Sequence, residues 1–191
     1  MGIVLLVRHG ETEWSRDGRH TGRTDIPLTG TGEAQAAAVR ATLAALRFQL
    51  VLCSPSGRAR RTAELAGLTD IELDPDLVEW DYGDYEGRTT ADIQQDRPGW
   101  YLWTDGVPDG ETVAQVGARA DRVLARIAPA LEAGDVALVG HGHALRVLAA
   151  RWIDLPPAAG ARLRLDTGTL SRLGAEHERP VLDTWNAPVH R

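Results

Sequence analysis

Two stretches of the chain end alike: Val7-Arg8-His9-Gly10 and Val139-Gly140-His141-Gly142 each carry an apolar run into a histidine followed by a glycine. In open α/β sheets ligands bind just beyond the carboxyl ends of the strands. If these two strands are neighbours, their imidazoles converge on one ligand. Arg8 brings a guanidinium to the same place, and Arg58 follows closely on another apolar run, at 50–54. Two imidazoles and two guanidiniums suit a transferring phosphoryl group, whose charge gathers on its three equatorial oxygens. The chain has no lysine, so its 21 basic residues are all arginine. That excludes lysine Schiff-base chemistry and the P-loop lysine. It leaves forked, permanently charged groups that bind phosphate and carboxylate in pairs of hydrogen bonds.

The elements that must position these groups follow from the pattern of apolar residues. Residues 2–7 and 135–139 read as buried strands, since uninterrupted apolar runs of this length fit the core of a parallel sheet. Between 11 and 28 no period appears, and Gly18, Gly22, Asp25 and Pro27 mark a long loop, a kind that is usually functional. Thr29 offers an N-cap for a helix to about residue 47, with Ala34, Ala37, Ala38, Ala41, Ala44 and Ala45 as a small face against the sheet. Further strands are expected at 50–54, 71–73, 163–173 and 181–185, and further helices after Ser54-Pro55, at 111–131 and at 145–153. Six of the ten aromatic residues lie between 80 and 103, which suggests a cap with an aromatic wall. The expected architecture is an α/β fold: one domain over residues 1–191, a three-layer α/β/α sandwich with a largely parallel central sheet and a cap excursion at about 80–110.

A formal charge of −6 argues against nucleic acid or an acidic membrane as partner, since both require a broad basic face. The arginines cluster locally at 8–23 and 58–61, which fits a small anion in a pocket. The single Cys53, at an apolar strand end, is expected to be an inert thiol in a reducing compartment. No apolar run approaches the ~20 residues of a membrane span, so a cytoplasmic protein is expected. No cofactor is implied, no metal site either, because His141 and His143 lack companion ligands at suitable spacing; a homodimer is allowed. Gly30-Thr31-Gly32 has no lysine after it and reads as a helix start rather than a nucleotide loop.

Arg8-His9-Gly10-Glu11-Thr12 with Trp14 resembles the signature of the histidine phosphatase superfamily, also called phosphoglycerate mutase-like. Further parts of that pattern follow in order: Thr21-Gly22, Pro27-Leu28-Thr29 with Gly32, Ser54-Pro55 with Arg58-Ala59 and Thr62-Ala63, Glu79 with Gly83 and Glu86-Gly87, and His141-Gly142 with Arg146. The stretches Glu79-Trp80-Asp81-Tyr82-Gly83 and Trp103-Thr104-Asp105-Gly106 are most similar to the small acid-phosphatase branch.

The resemblance implies a phosphomonoesterase, independent of metal, that forms a phosphohistidine at His9. Arg8, Arg58 and His141 would hold the phosphoryl oxygens, and the Gly142 N–H, with no side chain in its way, would add a donor. Glu79 would protonate the leaving alkoxide and then take a proton from water, which calls for a carboxyl shielded beneath the aromatic cap. Asp81, Asp84 and Glu86 are rivals for that role, and motif position favours Glu79. Ser15, where the family often has asparagine, and Thr21 with Gly22 would complete the substrate site. An alternative is a 2,3-bisphosphoglycerate-dependent phosphoglycerate mutase, but residues 84–110 hold only Arg88 and Arg97 to grip a second anionic group. A non-catalytic binder of phosphate ligands is the alternative from another class.

Overall fold

The computed structural model describes residues 2–189. In chain order its elements are β1 (Val4–Arg8), α1 (Glu13–Arg16), α2 (Gly30–Leu43), β2 (Phe48–Cys53), α3 (Gly57–Leu65), β3 (Ile71–Leu73), α4 (Thr90–Asp96), α5 (Leu102–Asp105), α6 (Val113–Ala133), β4 (Asp135–Gly140), α7 (Gly142–Trp152), β5 (Thr169–Glu176) and β6 (Arg179–Pro188). The strands form one sheet in the order β3-β2-β4-β1-β5-β6. The first four of these are mutually parallel, while β5 and β6 run antiparallel as a hairpin added beside β1. The hairpin turns through His177 and Glu178, whose φ angles of 47° and 65° are the positive values that a two-residue type I′ turn demands.

β1 up to Val7 and β4 from Val136 are apolar without interruption because helices cover both faces of the sheet. Alternate side chains go to opposite layers. Leu5, Val7, Cys53 and Val139 pack with Val39 and Leu43 of α2 and Ala59 and Ala63 of α3. Val4, Leu6, Leu52 and Leu138 pack with Val123 and Ile127 of α6 and Leu145 and Leu148 of α7. The register of β1 on β4 sets Val7 opposite Val139 and Arg8 opposite Gly140, so both strands end at one level.

Three sequence expectations are corrected. The face of α2 that meets the sheet is Gly32, Ala36, Val39 and Leu43, while Ala37, Ala41, Ala44 and Ala45 are exposed and the helix stops at Leu43. The larger apolar residues, Val39 and Leu43, decide which row is buried, and the small alanines do not. Residues 163–168 are not strand but a loop across the end of β1, where Gly168 N–H donates to the carbonyls of Arg8 and His9. Most of the aromatic cap is core: Trp80, Tyr82, Tyr85, Trp100 and Trp103 are buried against α6 and α7, leaving Tyr101 exposed. Trp80 meets Trp103 edge-on at 5.5 Å and Tyr85 meets Trp100 edge-on at 5.3 Å, so these rings anchor the excursion between β3 and α6.

Candidate active site

The paired ends of β1 and β4 bring His9 and His141 together, with ring centroids 5.1 Å apart and an edge-on arrangement. His9 is buried, and its Nδ1 lies 2.8 Å from the carbonyl of Gly10. A carbonyl can only accept, so Nδ1 carries the proton and Nε2 presents its lone pair. Burial, reinforced by Arg8 and Arg58, holds His9 well below the usual imidazole range. It is a neutral imidazole with one nitrogen free.

His141 is fully buried, and its Nε2 lies 2.8 Å from Ser54 Oγ, just past the end of β2. The Ser54 hydroxyl can give its proton to Nε2, and in that tautomer Nδ1 is a donor. Burial and the nearby Arg58 lower the pKa of His141 well below its ordinary value. Arg8 donates from Nη1 to the Leu165 carbonyl. Arg58, on α3, donates to the carbonyls of Thr24 (2.8 Å), Thr21 (3.1 Å) and Gly22 (2.9 Å). Four buried side-chain nitrogens have no partner among the described residues, and three of them, Arg8 Nε, Arg58 Nε and His141 Nδ1, belong to this group around His9. An unmet buried donor is costly, more so on a charged group, so three on convergent side chains make a receptor for anionic oxygens.

Gly142 opens α7 directly after His141. A Cβ there would stand 3.2 Å from the Arg8 guanidinium carbon, so glycine lets that group lie against the helix start. The next two N–H groups of α7, from His143 and Ala144, donate to Glu79 at 3.0 and 2.9 Å, and Trp80 N–H donates to it at 2.8 Å. Sequence reasoning gave this carboxyl an aromatic shelter; the structure gives it a cradle of three backbone donors. Oε1 receives two of them, and Oε2 receives one and keeps capacity for a proton. The segment is clamped by Arg119, which donates to the carbonyls of Asp76 and Val78 and pairs with Glu111 at 2.7 Å.

Arg8, His9, Glu79 and Gly142 line one cavity of about 270 Å³, together with Ser15 and Thr21. A larger hollow of about 570 Å³ at the β2 and β3 edge holds none of these groups. Ser15 lines the cavity, yet its hydroxyl donates to the Thr12 carbonyl and accepts from Thr12 N–H, capping α1. Gly22 lies off the cavity; its N–H goes to Glu86, and its carbonyl holds Arg58. Thr21 also supports Arg58 through its carbonyl. Two rivals of Glu79 are engaged, Asp81 pairing with Arg23 at 2.7 Å and Glu86 accepting from Gly22 and Thr24, and the third, Asp84, is exposed. Burial pushes the Cys53 thiol up to about 12.

The structure adds residues to this cavity that sequence reasoning left without a role: Arg19, His20, Tyr82, Thr90, His143 and Leu165. The tyrosine was in view only as part of an aromatic wall, and it is the one cap aromatic that lines the cavity. Its hydroxyl shares a 2.6 Å hydrogen bond with His143 Nδ1. Arg146 joins them, donating to the carbonyls of Gly160 and Ala161 and lying 4.7 Å over the Trp103 ring. Only the His-Gly-His spacing at 141–143 hinted at this second ring of groups.

The sequence profile of the histidine phosphatase superfamily (branch 1) matches residues 4–188. The chain belongs to that superfamily. An acid phosphatase of Mycobacterium tuberculosis (strain ATCC 25618 / H37Rv) is 47% identical over 176 residues, 91% of this chain and 87% of its own. A sedoheptulose 1,7-bisphosphatase of Saccharomyces cerevisiae (strain ATCC 204508 / S288c) is 38% identical over 185 residues, 79% of this chain and 67% of its own. The solved structure of an open reading frame from Mycobacterium tuberculosis superposes with a TM-score of 0.95 at 44% identity, covering 99% of each chain. In this histidine phosphatase, no group of three or more His, Cys, Asp and Glu among the described residues is placed to hold a metal ion. No helix among them is long and apolar enough to cross a membrane.

Proposed function

We propose that this histidine phosphatase is a phosphomonoesterase for small phosphate esters, working through a phosphohistidine at His9 Nε2. The observation that carries the reading is the neutral His9, fixed by Gly10 with Nε2 free, beside the unpartnered buried nitrogens of Arg8, Arg58 and His141. The lone pair of Nε2 attacks phosphorus, the ester P–O bond breaks, and the leaving oxygen takes its proton from Glu79. Arg8, Arg58, His141 and the Gly142 N–H hold the three equatorial oxygens as charge gathers on them. Water then attacks phosphorus, gives a proton to Glu79 and returns the electron pair of the P–N bond to Nε2, releasing inorganic phosphate. Ser15 and Thr21 line the path of the ester, and Gly22 acts through Arg58.

The excursion supplies no cation for a second anionic group, so a mutase would have to rely on Arg19 and Arg146, which also line the cavity. Arg88 pairs with Asp96 and Arg97 donates to the Tyr85 hydroxyl, and neither lines the cavity that would have to hold a transferred intermediate. Buried Cys53 supports a cytoplasmic setting.

The test is phosphate release from a panel of monoesters in chelator between pH 5 and 7. Turnover by the intact chain and none by His9→Ala is expected, with an acid-labile, base-stable phosphoryl group trapped on the former. Full activity of His9→Ala would exclude the mechanism, and interconversion of 2- and 3-phosphoglycerate faster than phosphate release would select the mutase.

A further inference from the structure

His20 is 8% exposed, and its Nε2 has no hydrogen-bond partner among the described residues. It lines the same cavity as His9. Its backbone is tied on both sides to the excursion, the N–H donating to the Arg88 carbonyl at 2.9 Å and the carbonyl accepting from Gly87 at 2.8 Å. Its ring lies 4.8 Å from Tyr82, edge-on to Trp100 at 5.6 Å and 6.2 Å from His143. A residue that merely filled this aromatic niche would do so better as phenylalanine, which leaves no polar atom unmet.

The groups arranged for the phosphoryl oxygens are Arg8, Arg58 and His141, so His20 is among the cavity residues, with Arg19, Tyr82, Thr90 and His143, that would meet the other part of the ester. Desolvation keeps its imidazole neutral, with a pKa of about 4, so it suits a neutral polar group rather than a second anion. The neighbouring His143 and Tyr82 are polar as well, and no large cap aromatic except Tyr82 faces the space. We propose that His20 is a specificity-determining residue that hydrogen-bonds a hydroxyl of the leaving group, so that this site selects phosphate esters of polyhydroxylated alcohols over aryl and simple alkyl esters. This rests on the phosphomonoesterase reading above.

The experiment compares kcat/KM for a ketose or aldose phosphate with that for phenyl phosphate in the intact protein, His20→Phe and His20→Gln. His20→Phe keeps the ring and its packing but removes the hydrogen-bonding nitrogens. The ratio of the sugar ester to phenyl phosphate is expected to fall by about tenfold or more in His20→Phe, because a site built to bond a hydroxyl loses that discrimination with the bond. His20→Gln should recover part of it. A ratio unchanged in His20→Phe, whether both esters slow together or neither does, would overturn the proposal and leave His20 a packing residue. Absence of phosphate release from both esters by the intact protein would instead overturn the phosphomonoesterase reading itself.

Discussion

At the scale of the residue, what distinguishes His9 from an ordinary histidine is that its protonation is settled before substrate arrives. Burial with Arg8 and Arg58 beside it depresses its pKa, and the Gly10 carbonyl fixes the proton on Nδ1. The imidazole of His9 is therefore expected to show no titration in NMR spectra between pH 8 and 5.5, where an unperturbed histidine would go from almost wholly neutral to about one-tenth neutral. A midpoint near 6.5 would refute it. Glu79 can be tested by leaving group: Glu79→Gln should slow an alkyl phosphate by roughly 10²–10⁴-fold and a nitrophenyl phosphate far less, since only the alkoxide needs the proton. Equal losses on both would remove Glu79 from that role. Four of these groups were legible in the sequence because a strand's end fixes where its last side chain points: Arg8, His9 and His141 follow from β1 and β4, and Arg58 from the turn after β2. His20 was not, because it arrives on a stretch without period. Ser15 does line the cavity, but the hold on its hydroxyl was not readable either, because it comes from the cap of a four-residue helix that no periodicity announces.

At the scale of the element, the long stretch between β1 and α2 is a holder for Arg58. Carbonyls of Thr21, Gly22 and Thr24 fix the guanidinium, and the N–H groups of Gly22 and Thr24 are fixed in turn by Glu86, which comes from the excursion. Two irregular segments thus brace one cation of the candidate site. A Cβ on Gly22 would fall 2.7 Å from both the Glu86 carboxylate and the Trp80 carbonyl, so the contact depends on that glycine. Glu86→Ala removes the acceptor of both N–H groups and should cost about 1–3 kcal/mol of stability. Thermal unfolding would measure that loss, and steady-state kinetics should show KM for the ester rising severalfold while kcat changes less. An unaltered KM would mean that the loop holds Arg58 without Glu86. The periodic elements were readable, as α6 shows, where Val116, Ala120, Val123 and Ile127 are the buried row. The excursion was not, because an aromatic-rich, glycine-rich segment looks the same whether its rings face a ligand or the core. Tertiary packing against α6 and α7 decided for the core.

At the scale of the whole molecule, the site imposes a cost that can be read as a pH dependence of stability. His9, His20, His141 and His143 are all held below the ordinary imidazole value, each chiefly by burial. In the folded state they stay neutral as the pH falls, whereas in the unfolded chain they take up protons near pH 6.5. The unfolded state then binds more protons, so stability falls with the pH below about 6.5, and for His20 the loss continues to its folded value of about 4. Each such histidine contributes up to about 1.4 kcal/mol per pH unit within its window. Unfolding by denaturant at pH 7, 6 and 5 should therefore show a free energy that drops more steeply at each step. A ligand that fills the phosphoryl site should raise it at every pH in proportion to its own binding, which inorganic phosphate can test. His20→Phe isolates one of the four contributions: its stability should decline between pH 6.5 and 5 with a slope shallower by about one proton's worth than that of the intact protein. An identical slope would mean that His20 titrates alike in the folded and unfolded chains, and is solvated rather than buried beside the site.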